Sequence, residues 1–169
     1  MNSLRRIVTI AGMGLLLMLS AQGQQSKKPG ILEGADLKQV VPTTYFFEGQ
    51  VAPVQLRNCA AVRSPQGKVI EAGLVDSSGY SSGVAAKYQG FLITEQKITI
   101  EGSSLPAGQY GFGFAEGKFR VMDVGGNDVF LVDDHQDDNL QRPVPLKVTE
   151  DSGGYRLYAG KKYVTIQLK

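Results

Sequence analysis

The chain of 169 residues contains one cysteine, one histidine and no tryptophan. A lone cysteine, Cys59, rules out an internal disulfide. One cysteine and one histidine also fall short of the several nitrogen and sulfur ligands that a zinc site collects. Within Asn58-Cys59-Ala60-Ala61-Val62 the thiol reads either as a nucleophile or intermolecular bridge, or as a small buried hydrophobe. Catalytic signatures are lacking too: no G-x-S-x-G elbow, no H-E-x-x-H pair, no glycine-rich phosphate loop with its lysine. A serine or cysteine nucleophile would have to recruit His135 from an acidic loop. A glycosidase would need two carboxylates at a set separation, which a linear sequence does not display. The expectation is a protein that is not an enzyme and carries no cofactor.

Net charge is small as well, at +2, and its source is local. Arg5 and Arg6 precede an uncharged apolar run, Ile7 to Leu19, with Ala21 and Gly23 just beyond. That is the pattern of a signal peptide, residues 1–23, cut after Gly23. The run is shorter than the roughly 20 residues a spanning helix needs, and no cysteine follows it to carry a lipid. Taking Arg5 and Arg6 from 18 basic residues leaves 16, against 16 acidic ones. A near-neutral remainder without Lys/Arg clusters is a poor match for nucleic acid, whose binding needs a basic footprint. No second apolar run offers a transmembrane span in the mature chain. Residues 24–35, QQSKKPGILEGA, read as a flexible leader, and 36–169 as one β domain, exported to the periplasm or the medium.

What the chain has in quantity is alternation. From Leu105 to Val132, Tyr110, Phe112 and Phe114 fall on one face of a strand and Gly111, Gly113 and Ala115 on the other. A turn at Glu116-Gly117 sets Phe114 opposite Phe119, Phe112 opposite Val121 and Tyr110 opposite Asp123. Arg120 and Met122 then lie beside the glycines, placed to cover exposed backbone. A one-residue slip would break the apolar match, so the register is specified.

Other strands follow the same logic. Val51–Val62 and Lys68–Val75 are joined by Ser64-Pro65-Gln66-Gly67, a type I turn, with a bulge expected near Arg57-Asn58. Tyr45, Phe46 and Phe47 are adjacent, so either both faces of their strand are covered or one ring is exposed. Asp36–Val41 and Val84–Tyr88 suit single helical turns. Val129-Phe130-Leu131-Val132 is an unbroken apolar run, expected in a strand covered on both sides. About ten short strands and no long helix predict an all-β fold: a single antiparallel barrel of lipocalin-like size, with a two-sheet sandwich as the alternative.

Leu105-Pro106-Ala107-Gly108-Gln109-Tyr110, the following Gly111-Phe112-Gly113-Phe114 and the ending RLYAGKKYV resemble uncharacterised exported bacterial β-domain proteins carrying an LPAG-x-Y turn-strand motif. The resemblance covers roughly the C-terminal two thirds of the mature chain. It implies export and a β fold, and no established activity comes with it.

Two groups of residues are candidates for a site. Seven tyrosines and seven phenylalanines could line a cavity, with Tyr110, Phe112 and Phe114 as the interior face that binds a small apolar or amphipathic molecule. The alternative function is a structural or interaction protein of the cell envelope, with another envelope protein as partner. The second group is Asp133, His135 and Asp137, whose alternate spacing suits an oxygen-rich cation loop. That loop lacks the sharp-turn glycine and the distal glutamate of the helix-loop-helix calcium site, so a solvated loop is the competing reading.

Overall fold

In the computed structural model of the protein, which describes residues 28–169, the central hairpin has the expected register. Strands β8 (Gly108–Ala115) and β9 (Lys118–Met122) pair Phe114 with Phe119, Phe112 with Val121 and Gly111 with Met122. Glu116 and Gly117 take φ of 54° and 73°, the primed turn whose twist matches the flanking strands. The same dipeptide turns two further hairpins. Glu48-Gly49 joins β2 (Thr44–Phe47) to β3 (Gln50–Arg63), and Glu101-Gly102 joins β6 (Ile98–Ile100) to β7 (Ser103–Leu105), again at positive φ.

These hairpins assemble into two separate antiparallel sheets. The large one has the order β1 (Gly30–Leu32), β3, β4 (Val69–Val75), β5 (Gly90–Thr94), β8, β9, β10 (Asp128–Asp133), with β2 against the start of β3. The small one has the order β12 (Leu146–Asp151), β13 (Gly154–Ala159), β14 (Lys162–Leu168), β6, β7, with β11 (His135–Gln136) also against β14. The expectation of a single barrel is therefore corrected. Neither sheet closes on itself; the chain forms the two-sheet alternative, with fourteen strands among the described residues. The reason lies in the crossings. The chain leaves the large sheet after β5, returns between β7 and β8, and leaves again after β10, so β10 ends the large sheet instead of joining β1.

Inner faces of the two sheets meet in one core. Val62, Ile70, Leu92, Phe112, Phe119 and Val121 of the large sheet pack with Ile98, Ile100, Leu157, Val164 and Ile166 of the small one. Each such side chain contributes roughly 1.5–3 kcal/mol by leaving water. A second, mostly aromatic core sits on the opposite face of the large sheet. There Tyr45 and Phe47 from β2 and Tyr80, Val84 and Tyr88 from around the short helix α2 (Ser82–Ala85) cover Cys59, Phe91 and Met122. Phe47 stacks on Tyr88 with centroids 3.9 Å apart, and Tyr45 on Phe91 at 4.9 Å. Of the three adjacent aromatics Phe46 is the exposed one. Cover for the glycine face comes from this layer too, which goes beyond the expected Arg120 and Met122: a Cβ at Gly111 would collide with the Phe47 ring.

The β3–β4 register shifts between Val54 and Cys59, which is the expected bulge, and Gly67 donates to the Ser64 carbonyl at 2.9 Å to close the type I turn. The expected signal peptide, residues 1–23, and the leader as far as residue 27 lie outside the described residues. Within the described part of that stretch, Gly30–Leu32 form a strand. Gly30, Ile31 and Leu32 pair with Arg63, Val62 and Ala61, and α1 (Gly34–Val40) follows directly.

Candidate functional site

The residues expected to line a ligand cavity are instead part of the packed interior. Phe112 and Phe114 are buried between the sheets, and Tyr110 packs at the margin of that core. Near them the crevice beside Ala60, Ile70, Leu92 and Ile166 offers about 10 Å³, about what one water requires. With no barrel to enclose a lumen, the expected function as a barrel-like carrier of a small apolar molecule is overturned. Tyr110 has a different part. Its hydroxyl donates to the Pro106 carbonyl at 3.1 Å, four residues upstream, which is the arrangement of a tyrosine corner. Pro106 and Ala107 carry the chain from β7 in the small sheet to β8 in the large one. A Cβ at Gly108 would stand 2.8 Å from the Tyr110 hydroxyl, so the LPAG-x-Y spacing serves this crossing. Tyr45 donates to the Tyr110 carbonyl at 3.1 Å and ties the outer layer to the same point.

The acidic stretch is divided between the two sheets. Asp133 ends β10 and pairs with Lys118 at 2.5 Å, which holds its carboxyl below the usual range. Asp134 is the single residue linking β10 to β11; it lies 3.2 Å from Lys162, out of hydrogen-bond line, and its amide donates to Gly117. His135 faces Glu101 at 3.1 Å, and Asp137 accepts from the Tyr158 hydroxyl at 3.2 Å. Asp133, His135 and Asp137 thus have three different partners. Among the described residues no group of three or more His, Cys, Asp or Glu side chains is placed to hold a metal ion.

Strand β10 itself is the more informative feature. Among the described residues it pairs only with β9, leaving one side of its backbone without a strand neighbour. Phe130 and Val132 turn inward to the core, while Val129 and Leu131 are 42% and 44% exposed. The expectation that this apolar run is covered on both sides is therefore corrected: it is an edge. The register with β9 shifts at Val129, a bulge that adds one residue to β10. The charges beside it are already neutralised within the chain, Arg120 by Asp128 and Lys118 by Asp133.

One polar cluster escaped the reading of the sequence. Beyond the aromatic layer, Glu71 faces outward from β4, paired with Ala61 on one side and Ile93 on the other. Glu95 lies diagonally across, exchanging hydrogen bonds with Val69: its amide donates to the Val69 carbonyl at 2.9 Å and its carboxylate accepts from the Val69 amide at 2.8 Å. Glu71 is only 7% exposed, and its Oε2 has no hydrogen-bond partner among the described residues. Burial, then the charge of Glu95, pushes its carboxyl up to about 7. A cleft of about 260 Å³, lined by Gln39, Val40, Val69, Glu71, Ile93 and Glu95, opens beside it under the end of α1. The available signal was a lone charge within the apolar Val69–Val75. Cys59, on the same face, is buried, donates to the Gln55 carbonyl at 3.3 Å and is pushed up to about 11 by burial, and further by Glu71. That favours the buried-hydrophobe reading of this thiol over a nucleophile.

No family model, curated protein or solved structure matches the chain. No helix among the described residues is long and apolar enough to cross a membrane, which leaves crossing by strands unaddressed.

Proposed function

We propose that the protein is a non-enzymatic structural or interaction component of the bacterial cell envelope, exported to the periplasm or medium, and that it engages a protein partner through β10. The observation that carries this reading is the open edge: a strand that no other described strand pairs on one side, with two exposed aliphatic side chains, Val129 and Leu131. An extended segment added to such an edge gains main-chain hydrogen bonds, with alternate side chains supplying specificity. Because Lys118, Arg120, Asp128 and Asp133 are paired among themselves, the segment that fits is an apolar strand of another envelope protein rather than a strongly charged one. The pattern of residues 1–23 and the LPAG-x-Y resemblance support export.

A photo-crosslinking residue at position 131, introduced into the protein in bacterial cells, tests this directly. The expected result is a discrete adduct with one envelope protein, absent when the same group replaces exposed Gln66. An adduct of twice the chain's own mass would replace the partner by a second copy. No adduct at position 131 would remove β10 from consideration.

A further inference from the structure

The cleft beside Glu71 is separate from the β10 edge and has its own chemistry. Its lining brings together two carboxyl groups and the aliphatic side chains of Val40, Val69 and Ile93, with no cationic side chain in the wall. Glu71 is more than nine-tenths buried and lines the cleft, yet among the described residues its Oε2 meets no donor. A buried carboxyl oxygen without a partner carries a desolvation cost that a donor from a ligand would offset.

The geometry points to a binding site for a primary alkylammonium group, with the ammonium between Glu71 and Glu95 and its methylene stem along Val40, Val69 and Ile93. An ammonium offers three donors and no acceptor, which complements two carboxylates. Its aliphatic stem suits apolar walls as the buried stem of a lysine does. A hard divalent cation fits less well, since it seeks six or more oxygens and only two carboxylates converge here.

The charged neighbours of Glu71 lie on three elements. Glu95 stands just past the end of β5, while Arg63 and Cys59 share the outer face of β3. Arg63 is buried and is not part of the cleft wall. From α1 come Gln39 and Val40, with exposed Lys38 preceding them. Since Glu71 titrates near neutrality, an ammonium entering the site at neutral pH favours its ionised form and releases a proton to the buffer.

Two sources of the same group are separable in one experiment. Calorimetric titrations of the protein with 1,5-diaminopentane, with an acetyl-lysine-amide peptide bearing a free side-chain amine, and with 1-pentanol would be run at pH 8 and pH 5.5. Expected are binding of at least one amine at pH 8, affinity about tenfold or more weaker at pH 5.5, and no heat from the alcohol. Proton release should appear as a dependence on buffer ionisation heat near neutrality. Glu71→Gln and Glu95→Gln, each checked by circular dichroism, should each weaken binding about tenfold. Preference for the diamine assigns the cleft to a small amine, and preference for the peptide to a lysine of a protein. Failure of both amines to bind at pH 8, or full affinity in a folded Glu71→Gln variant, overturns the site. Neither result bears on the β10 crosslink.

Discussion

The two faces of the large sheet are built from the same strands and solve burial differently. The inner face presents Val62, Ile70, Leu92, Phe112 and Val121 to a second sheet. Its side chains are aliphatic or phenyl, and the covering layer is itself a hydrogen-bonded sheet. The outer face presents Cys59, Phe91 and Met122 to a hairpin and a helical turn that contribute Tyr45, Phe47, Tyr80 and Tyr88, and further along it presents Glu71 and Arg63. Every ring in the outer layer except those of Phe47 and Phe91 carries a hydroxyl, and the layer stops short of Glu71. The lesson is that the inner face supplies cooperative stability, whereas the outer face tolerates polar groups and clefts because its cover is local and discontinuous.

Removing Phe112 should produce the largest effect. It is fully buried and in contact with the rings of Phe114 and Phe119. Phe112→Ala should cost about 3–5 kcal/mol, a large share of the roughly 5–15 kcal/mol typical of such a domain. Urea denaturation measures it, and a loss below about 1 kcal/mol would contradict a close-packed inner core.

Glu71 sharpens the contrast through pH. Its folded pKa of about 7 is raised above the ordinary glutamate value. The protonated side chain is therefore favoured by folding. Its contribution is complete below the unfolded pKa, declines as pH rises from about 4.5 towards 7, and is lost above that. The wild type should lose on the order of 3 kcal/mol over that window relative to Glu71→Gln. Parallel pH profiles for the two proteins would show that the outer face does not desolvate this carboxyl.

Gly111→Ala tests whether the outer layer can be lifted alone. The added methyl meets the Phe47 ring, and overpacking of this kind costs typically about 1–3 kcal/mol. Near-ultraviolet dichroism from the stacked tyrosines should fall while the far-ultraviolet strand signal persists. Concerted loss of both would mean the two layers are one cooperative unit.

A smaller change is expected where the faces join. Tyr110→Phe deletes the hydroxyl that reaches Pro106 and should cost about 1 kcal/mol in thermal or urea unfolding. Leu131→Lys, at the exposed edge, should fall within about 0.5 kcal/mol of wild type while abolishing any adduct formed from a photo-crosslinking residue placed at position 129. A marked destabilisation there would place Leu131 in the core, against its exposure.

Local pattern made the hairpins readable and left their assembly open. The β8–β9 register follows from where phenylalanines face phenylalanine and valine, a property of neighbours in sequence. The choice between barrel and sandwich depends on which distant strands pair: β14 with β6, and not β10 with β1. Alternation reads the same in both architectures. Val129–Val132 misleads for a related reason, since an apolar run looks alike whether a strand is buried on both faces or lies at an edge. The acidic stretch was visible as composition, but its residues separate because Asp134 alone spans the gap between sheets. Glu71 was hidden because one charge among apolar neighbours reads as a solvent-facing position, and here α1 and the sheet enclose it.

The pairing of β14 with β6 also sets an order of assembly during synthesis. Ile98 and Ile100 become available well before Leu168 and Ile166, the residues they pair with. The large sheet can be completed as soon as Asp133 is free to pair, yet its inner face then still awaits β12, β13 and β14. Through that interval Phe112, Phe119 and Val121 have no sheet to meet, and β6 and β7 form a two-strand fragment too small to persist alone. The nascent chain is therefore exposed to aggregation late rather than early, when most of its length has already been translated. A chain ending short of Lys162 would present a sticky half-sandwich, and one that includes Leu168 a closed one.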